Sequence, residues 1–432
     1  MMQANKVEIN MPDSIIKYKN HFKDLVSENF LKLNNNEDWK YNKLNFIKKN
    51  KFTVNEQESL KLNDILDINN LNEKLESLYL DNCYNIVFIS GKFYSINNPN
   101  HDLVKLNHDV FIGSINQYME SENFIEFLDS KKENIDNYFQ ALNNANFTDG
   151  FYISIIENIK LEKPINIIFI NNQTSNNYIN NLKNYIILEK NSTAQIFINY
   201  LDLDNSNEQY FLNNNTEILL GDNSELNLYK TQNQNLSSYN FSYFQVNQNE
   251  KSSFKFYNFS YGSLFSKDII RVDLNKEHAF CGLYGIINSD SKQYIDVNTR
   301  VNHNVKNCSS FENYKGIADD KSTAVLNGSI VVKQKASNTD ARMSNKNLLL
   351  SDNANIYTKP ELKIYNDDVK CSHGTTIGSL DNDALFYLQS RGLSYFEARK
   401  ILIEAFLGEI IELDKNLNSK LKHFILDILK IN

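Results

Sequence analysis

One short pattern recurs through the middle of this 432-residue chain and limits what the chain can fold into. A polar turn leads into a small residue and then an apolar one that opens a β-rich run. It reads NSTAQIF from 191, NSELNLY from 223, KSSFKFY from 251, KSTAVLN from 321 and NANIYTK from 353, with a looser copy, EHAFCGL, from 277. Taking Ala194, Leu226, Phe254, Phe280, Ala324 and Ile356 as the opening apolar positions, the steps are 32, 28, 26, 44 and 32 residues. Strand-opening turns at near-regular spacing mark a solenoid. The runs beside them, such as PINIIFI, AQIFINY and FKFYNF, are β-rich, and no long helical period intervenes. That points to a β-helix, whose coils stack as parallel strands with apolar ladders facing inward. A β-sandwich is the alternative; recurrence of one turn favours the solenoid.

The flanks read differently. Residues 1–149 are expected to form a mainly helical or mixed domain, 150–379 the β-helix and 380–432 a helical domain. Pro12-Asp13-Ser14 can start a helix along which Ile15, Tyr18, Phe22, Val26, Phe30 and Leu33 recur at three-to-four spacing. Helical stretches are also expected near 60–78 and 116–143, and a short strand over Ile86 to Ile89. Past the solenoid, Asp381 or Asp383 can cap a helix carrying Leu385, Phe386 and Leu388 that stops at Arg391-Gly392. Ser394-Tyr395-Phe396-Glu397 is a capping box for the next helix, whose Phe396, Ile401, Leu402, Ala405, Phe406 and Ile410 form a stripe. A last amphipathic helix is expected over 417–429.

Composition narrows the function. With 41% hydrophobic and 23% charged residues the chain reads as soluble and globular. No stretch approaches the roughly 18 uninterrupted apolar residues of a membrane helix. A net charge of −8 disfavours nucleic-acid or anionic-membrane partners, which call for a basic stripe. The opening MMQANKVEINMPDS has neither a secretory nor a transit pattern, so a cytoplasmic location is expected. Cys83, Cys281, Cys308 and Cys371 stand far apart with no CxxC pair, and are expected as free thiols in a reducing compartment. There is no Walker A, GxSxG or HExxH pattern, so no ATPase or hydrolase chemistry is expected.

The segment most suggestive of chemistry is TKPELKIYNDDVKCSHGTTIGS from 358. It reads as strand, polar turn and second strand, with Gly374 as an exit toward the helices. Cys371 and His373 lie two apart, so in a strand they project to one face about 7 Å from each other. A thiolate and an imidazole so placed can serve or flank a soft-metal site. The plainer reading is a half-buried strand with an inert Cys and a satisfied His, and Val369 on the same face supports it. Asp367 and Asp368 suit a turn, since neighbouring strand residues face opposite ways. His303 with Cys308, in a loop-like stretch, and His278 with Cys281 are weaker metal candidates, and Cys83 reads as core.

The same segment carries a resemblance. Lys359-Pro360, Leu362, Ile364, Asp367 through Gly374, Leu385-Phe386-Tyr387-Leu388, Ser390-Arg391-Gly392, Glu397-Ala398-Arg399 and Ala405-Phe406 resemble the SufD branch of the SufB/SufD family of iron–sulfur cluster assembly proteins. Lys315-Gly316, Gly328, Thr339, Asn347-Leu348-Leu349, Ala141-Leu142-Asn143, Trp39 and Tyr41 fit the same pattern. The likeness is dense over about 300–410 and sparse elsewhere; Gln389 and Leu326 depart from the usual Arg and Phe.

The resemblance implies a right-handed parallel β-helix and a non-catalytic scaffold subunit. It implies SufB as partner and SufC, an ABC-type ATPase, docked on the helical domain through a surface that includes Leu385, Phe386, Arg391, Gly392, Glu397 and Arg399. It implies His373 as an iron ligand to a nascent Fe–S cluster at the seam with SufB. Cys371 matches the motif too, with its role as ligand or packing residue open. No cofactor is expected in the isolated chain; reduced flavin in the complex, and a homodimer of the chain alone, stay open. The other readings are a SufB-like scaffold, disfavoured because SufB relatives carry an acidic EHE-type segment at 371–373, and a carbohydrate-active β-helix enzyme.

Overall fold

The recurring turn is a corner. Asn191, Asn223, Lys251, His278, Asn307 and Asn338 each adopt a left-handed backbone, with φ between 54° and 62°. Asn tolerates that conformation better than most residues, which explains its recurrence there. In three of these turns the following serine is buried and its hydroxyl bonds back to a carbonyl three residues earlier: Ser192 to Glu189 at 2.6 Å, Ser224 to Gly221 at 2.8 Å and Ser252 to Asn249 at 2.7 Å. The small residue of the motif thus closes the turn and leaves no orphaned polar group.

The computed structural model describes residues 13–32, 50, 52–54, 75–97, 105–106, 109–119, 135, 137–171, 177–202 and 208–411. The protein is a β-solenoid of about seven turns, with helices mostly at its ends. Each coil contributes one strand to each of two sheets. One sheet contains Tyr178–Leu188, Tyr210–Leu220, Tyr239–Gln248, Phe265–Leu274, Tyr294–His303, Thr323–Val332 and Asn355–Ile364 in spatial order. The other runs from Ile165–Asn171 through Thr193–Asp202, Glu225–Asn233, Ser253–Ser260, Phe280–Ser289, Ser309–Ala318 and Thr339–Leu349 to Val369–Gly378. All of these pair in parallel.

Register corrects the spacing argument at two points. Ala194, Leu226 and Phe254 are directly beside one another, as the repeat requires, but Phe254 is beside Cys281 rather than Phe280. A one-residue slip exchanges the two faces of a strand. Cys281 is therefore the inward residue, fully buried, while Phe280 is only partly covered. The 44-residue step is not a long coil: Phe280 belongs to one sheet and Ala324 to the other, so the interval is about one and a half coils. Both corners use the same turn chemistry; at the second, Asp320 has φ 53° and the Ser322 hydroxyl bonds to the Asp319 carbonyl at 2.7 Å.

Between the sheets lie Leu226, Leu228, Phe254, Phe256 and Leu283 from one side and Phe244, Val246, Ile270 and Val272 from the other, all fully buried. Each such side chain contributes roughly 1.5–3 kcal/mol when covered by the coils on either side. The interior is not uniformly apolar. Lys230 and Asp268 meet there at 2.6 Å, both essentially inaccessible, with Asn258 and Ser260 also bonded to the carboxylate.

At the amino-terminal edge the pattern turns antiparallel. Tyr84–Ile89 pairs with Lys92–Asn97, and Val110–Ser114 with Phe151–Ile155, closing the two sheets with hairpin-like additions. Helix Asp13–Lys32 buries Ile15, Tyr18 and Phe22 against Phe147, Tyr152 and Tyr185. Of the helix expected near 116–143, the described parts are a short 3-10 turn over Ile115–Gln117 and an α-helix over Tyr138–Asn146. Trp39, Tyr41, most of 60–78 and the helix expected at 417–429 lie outside the described residues. No helix among the described residues is long and apolar enough to cross a membrane.

Candidate functional site

Among the described residues no coil lies beyond the last one, and its strands, Asn355–Ile364 and Val369–Gly378, each pair on one edge only. Positions that are buried one coil earlier are uncovered here: Ile364 is 42% and Ile377 46% exposed, beside the outward Tyr357 and Tyr365. Unpaired strand edges with an apolar rim are a template for another chain.

Cys371 and His373 both belong to the inward ladder of this final strand. Cys371 sits beside Ala341 and His373 beside Met343, and both of those neighbours are buried. The expected common face is thus the face that closes the solenoid interior, and it stands open because the stack ends. Cys371 is half-buried and packs against the cluster of Ile330, Val332, Ala341 and Met343. Burial pushes its thiol up from the usual cysteine range, with a lesser opposing contribution from the Ala341 backbone. It is a protonated thiol at neutral pH, which a bound metal would deprotonate. His373 is exposed. The turn before the strand is built as expected: Asn366 accepts from the Asp368 amide at 2.9 Å, and the Asp368 carbonyl accepts from Asn338 at 2.7 Å. Gly374 is not an exit, because the strand continues to Gly378 before the helices begin.

The other candidates do not converge. His303 is not in a loop; it ends strand Tyr294–His303, is buried, and shares a 2.9 Å hydrogen bond with Ser310. Burial lowers its pKa to about 4, so it is a neutral core histidine. Cys308 is buried with its thiol on the Lys276 carbonyl. His278 is on an exposed corner, while Cys281 is interior and its thiol is pushed far up by burial. Cys83 is buried, as core. Among the described residues no three His, Cys, Asp or Glu side chains are grouped to hold a metal ion. A wider cleft along the second corner, lined by Leu236, Leu264, Lys292 and Lys321, includes neither Cys371 nor His373.

One charged residue escaped the sequence reading. Glu312 points inward in register with Met343, which is in register with His373. Thr299 donates to its Oε1 at 2.7 Å, and Oε2 has no hydrogen-bond partner. Desolvation raises its pKa to about 7. It lines a small cavity with Thr299, Gly328, Met343, Asn345 and Pro360. A Cβ at Gly328 would lie 2.7 Å from Met343 Sδ and 2.9 Å from Glu312 Oε1, so the absent side chain makes this space. Strict alternation along SSFENYKGIA could have flagged Glu312 as an inward carboxylate, but only the register says which face is inward.

The helix pair follows. Asp381, not Asp383, is the N-cap: its carboxylate accepts from the amides of Asp383 and Ala384 at 2.9 and 3.2 Å. Gly392 adopts φ +97°. The capping box forms, Ser394 N–H to Glu397 at 2.8 Å and Glu397 N–H to Ser394 at 3.3 Å, and these bonds lower the Glu397 pKa. Helix Asn382–Ser390 buries none of its residues; Leu385 is half-buried, Arg391 is exposed and Phe386 is 73% exposed. Helix Tyr395–Ile411 is apolar on two sides, which corrects the single stripe. Ala398, Leu407, Ile410 and Ile411 are buried, whereas Phe396 is 77% exposed and Ile401 also faces solvent. Of the expected docking residues, Leu385, Phe386 and Arg391 thus have no structural task as evident as those of Gly392 and Glu397 in the turn. Arg399 pairs within the chain, with Asp319.

Residues 169–406 match the family described as SUF system FeS cluster assembly, SufBD core domain. The chain belongs to this family. It is 30% identical over 280 residues to an iron-sulfur cluster assembly SufBD family protein of Synechocystis, a match covering 63% of this chain and 62% of the relative. It is 29% identical over 263 residues to iron-sulfur cluster assembly protein SufD of Escherichia coli, covering 60% and 62%. To SufD of Bacillus subtilis it is 24% identical over 275 residues, covering 63% and 62%. The matches span a little under two thirds of these relatives' own lengths.

Proposed function

We propose that this chain is the SufD-type, non-catalytic subunit of a cytoplasmic SufB–SufC–SufD scaffold. The observation that carries the reading is the open last coil. It presents unpaired edges of both sheets, an apolar rim at Tyr357, Ile364, Tyr365 and Ile377, and the inward thiol and imidazole of Cys371 and His373 at the seam. SufB pairs with this end. The nascent cluster is cargo held between the two chains, with His373 as an iron ligand through its neutral imidazole. One imidazole in a thiolate set, at a seam that can part, suits a scaffold that must release what it builds. Cys371 is the secondary candidate, since packing already employs it. The exposed faces of the helix pair, Leu385, Phe386 and Arg391 with Phe396 beyond them, take the ATPase subunit SufC.

The test is co-expression with SufB and SufC followed by anaerobic reconstitution. The expected result is a stable ternary complex whose His373→Ala variant assembles normally and forms no cluster. A complex that never forms, or wild-type cluster yield in the variant, would overturn the reading.

A further inference from the structure

Helix Tyr395–Ile411 lies against the outer face of the sheet that ends in the Cys371–His373 strand. Leu407, Ile410 and Ile411 belong to one buried cluster with outward rings and side chains that include Tyr229, Tyr257, Ile286 and Ile317. Phe197, Tyr229, Tyr257 and Tyr284 stack along it at 4.7, 4.8 and 5.1 Å. Apolar contact is non-directional and by itself would let a helix slide on this surface.

Two polar anchors prevent that. Lys315 is 3% exposed, and its Nζ donates to the Phe406 carbonyl, lies 4.8 Å from the Phe406 ring centroid and pairs with Glu409 at 2.7 Å. Lys346, one coil further, reaches the same carboxylate at 3.8 Å. These contacts hold the Glu409 pKa below its usual range. Toward the other end of the helix, the Arg399 guanidinium pairs with Asp319. Lys315 and Asp319 belong to one short run, the end of strand Ser309–Ala318 and the residue after it. The helix is therefore pinned at two points to one strand, while Asn382–Ser390 buries nothing.

That strand has a second face. Glu312 points from it into the interior, in register with Met343 and then with His373, two ladder steps away. We propose that Lys315 and Asp319 form a two-point clasp that makes the helix pair and the terminal coils one lever, so that displacement of the helices by a docked ATPase passes into the strand carrying His373. Lys315 and Asp319 are positioning residues: they touch neither nucleotide nor cluster. The inference rests on the helix pair being the ATPase platform.

The experiment uses the full SufB–SufC–SufD complex and four variants: Lys315→Met, Asp319→Arg, Arg399→Asp and the charge-swapped pair Asp319→Arg with Arg399→Asp. Met keeps the apolar stem of Lys315, and the Asp319 and Arg399 side chains are 28% and 24% exposed, so all four can fold. ATP turnover, hydrogen exchange over 395–411 and cluster formed per ATP are measured together. The Lys315→Met and Asp319→Arg variants are expected to exchange faster over 395–411 and to hydrolyse ATP as the wild type does. They should lose cluster yield per ATP by at least about fivefold, the lower end for coupling between distant sites. The swapped pair should recover most of the yield, which a merely destabilising change would not. Normal yield per ATP in the singles despite faster exchange, or no recovery in the swapped pair, would overturn the clasp. If the wild-type chain holds no ATPase on 382–411, the platform assignment fails first and the clasp falls with it, a result distinguished by the missing complex.

Discussion

Replacing Glu312 by Gln should make the protein more stable at alkaline pH and leave it unchanged in acid. In the folded chain this carboxyl is fully enclosed, accepts one hydrogen bond from Thr299 and has its second oxygen unpaired. Burial raises its pKa from 4.5 to about 7. Between those values the folded state holds a proton that the unfolded chain has released, so stability falls as pH rises across that window. Below about pH 4.5 both states are protonated and nothing is lost; above about pH 7 the loss is complete. At about 1.4 kcal/mol per tenfold change in proton affinity, the full effect is about 3 kcal/mol. Gln fills the same space, can still accept from Thr299 and carries no charge to desolvate. The assay is denaturant unfolding of both proteins at pH 5, 6, 7 and 8, read as the difference between them. That difference should open from just under about 1 kcal/mol at pH 5 to about 3 kcal/mol at pH 8, in favour of Gln. Parallel profiles would show that Glu312 is solvated or paired in solution and that the interior column beneath His373 is not dry.

Gly392→Val should lower the melting midpoint and weaken ATPase docking, since φ +97° costs a β-branched residue about 1–2 kcal/mol although nothing crowds its Cβ; normal melting and binding would refute the capping role. Lys230→Met leaves Asp268 charged and buried, and should cost about 3–5 kcal/mol, checked by chemical unfolding. Cys371→Ser, compared with His373→Ala in the complex, should retain cluster formation; if it alone fails, the thiol is the ligand and the imidazole is not. The isolated chain should show no ATP turnover, in a preparation shown by mass spectrometry to lack SufC.

Cys371 and His373 were legible because two-residue spacing fixes a shared face in any strand. That this face points into the solenoid and is uncovered was not legible, since local sequence does not say where a stack ends. The weaker pairs failed for the same reason. His278 and Cys281 are three apart in sequence but lie on a corner and in the interior, and Cys281 rather than Phe280 is inward because pairing across coils, not local hydrophobicity, sets register. The helix stripe divided because Phe396 and Ile401 suit either an interface or a core, and only the solenoid wall decides which.

The sequence alone determined the coil, because a left-handed residue, most often Asn, followed by a small buried one is a local conformational preference that recurs at one corner of the coil. It also determined the caps of the terminal helices, where Asp381, Ser394 and Glu397 bond to amides a few residues away. The tertiary structure decided what is long-range: which sheet each turn opens, the burial of Glu312, the Lys230–Asp268 pair, and the anchoring of a helix through Lys315 to a carbonyl 91 residues distant. Those contacts follow from the summed register of seven coils, and a register is a property of neighbours in space that no window of sequence contains.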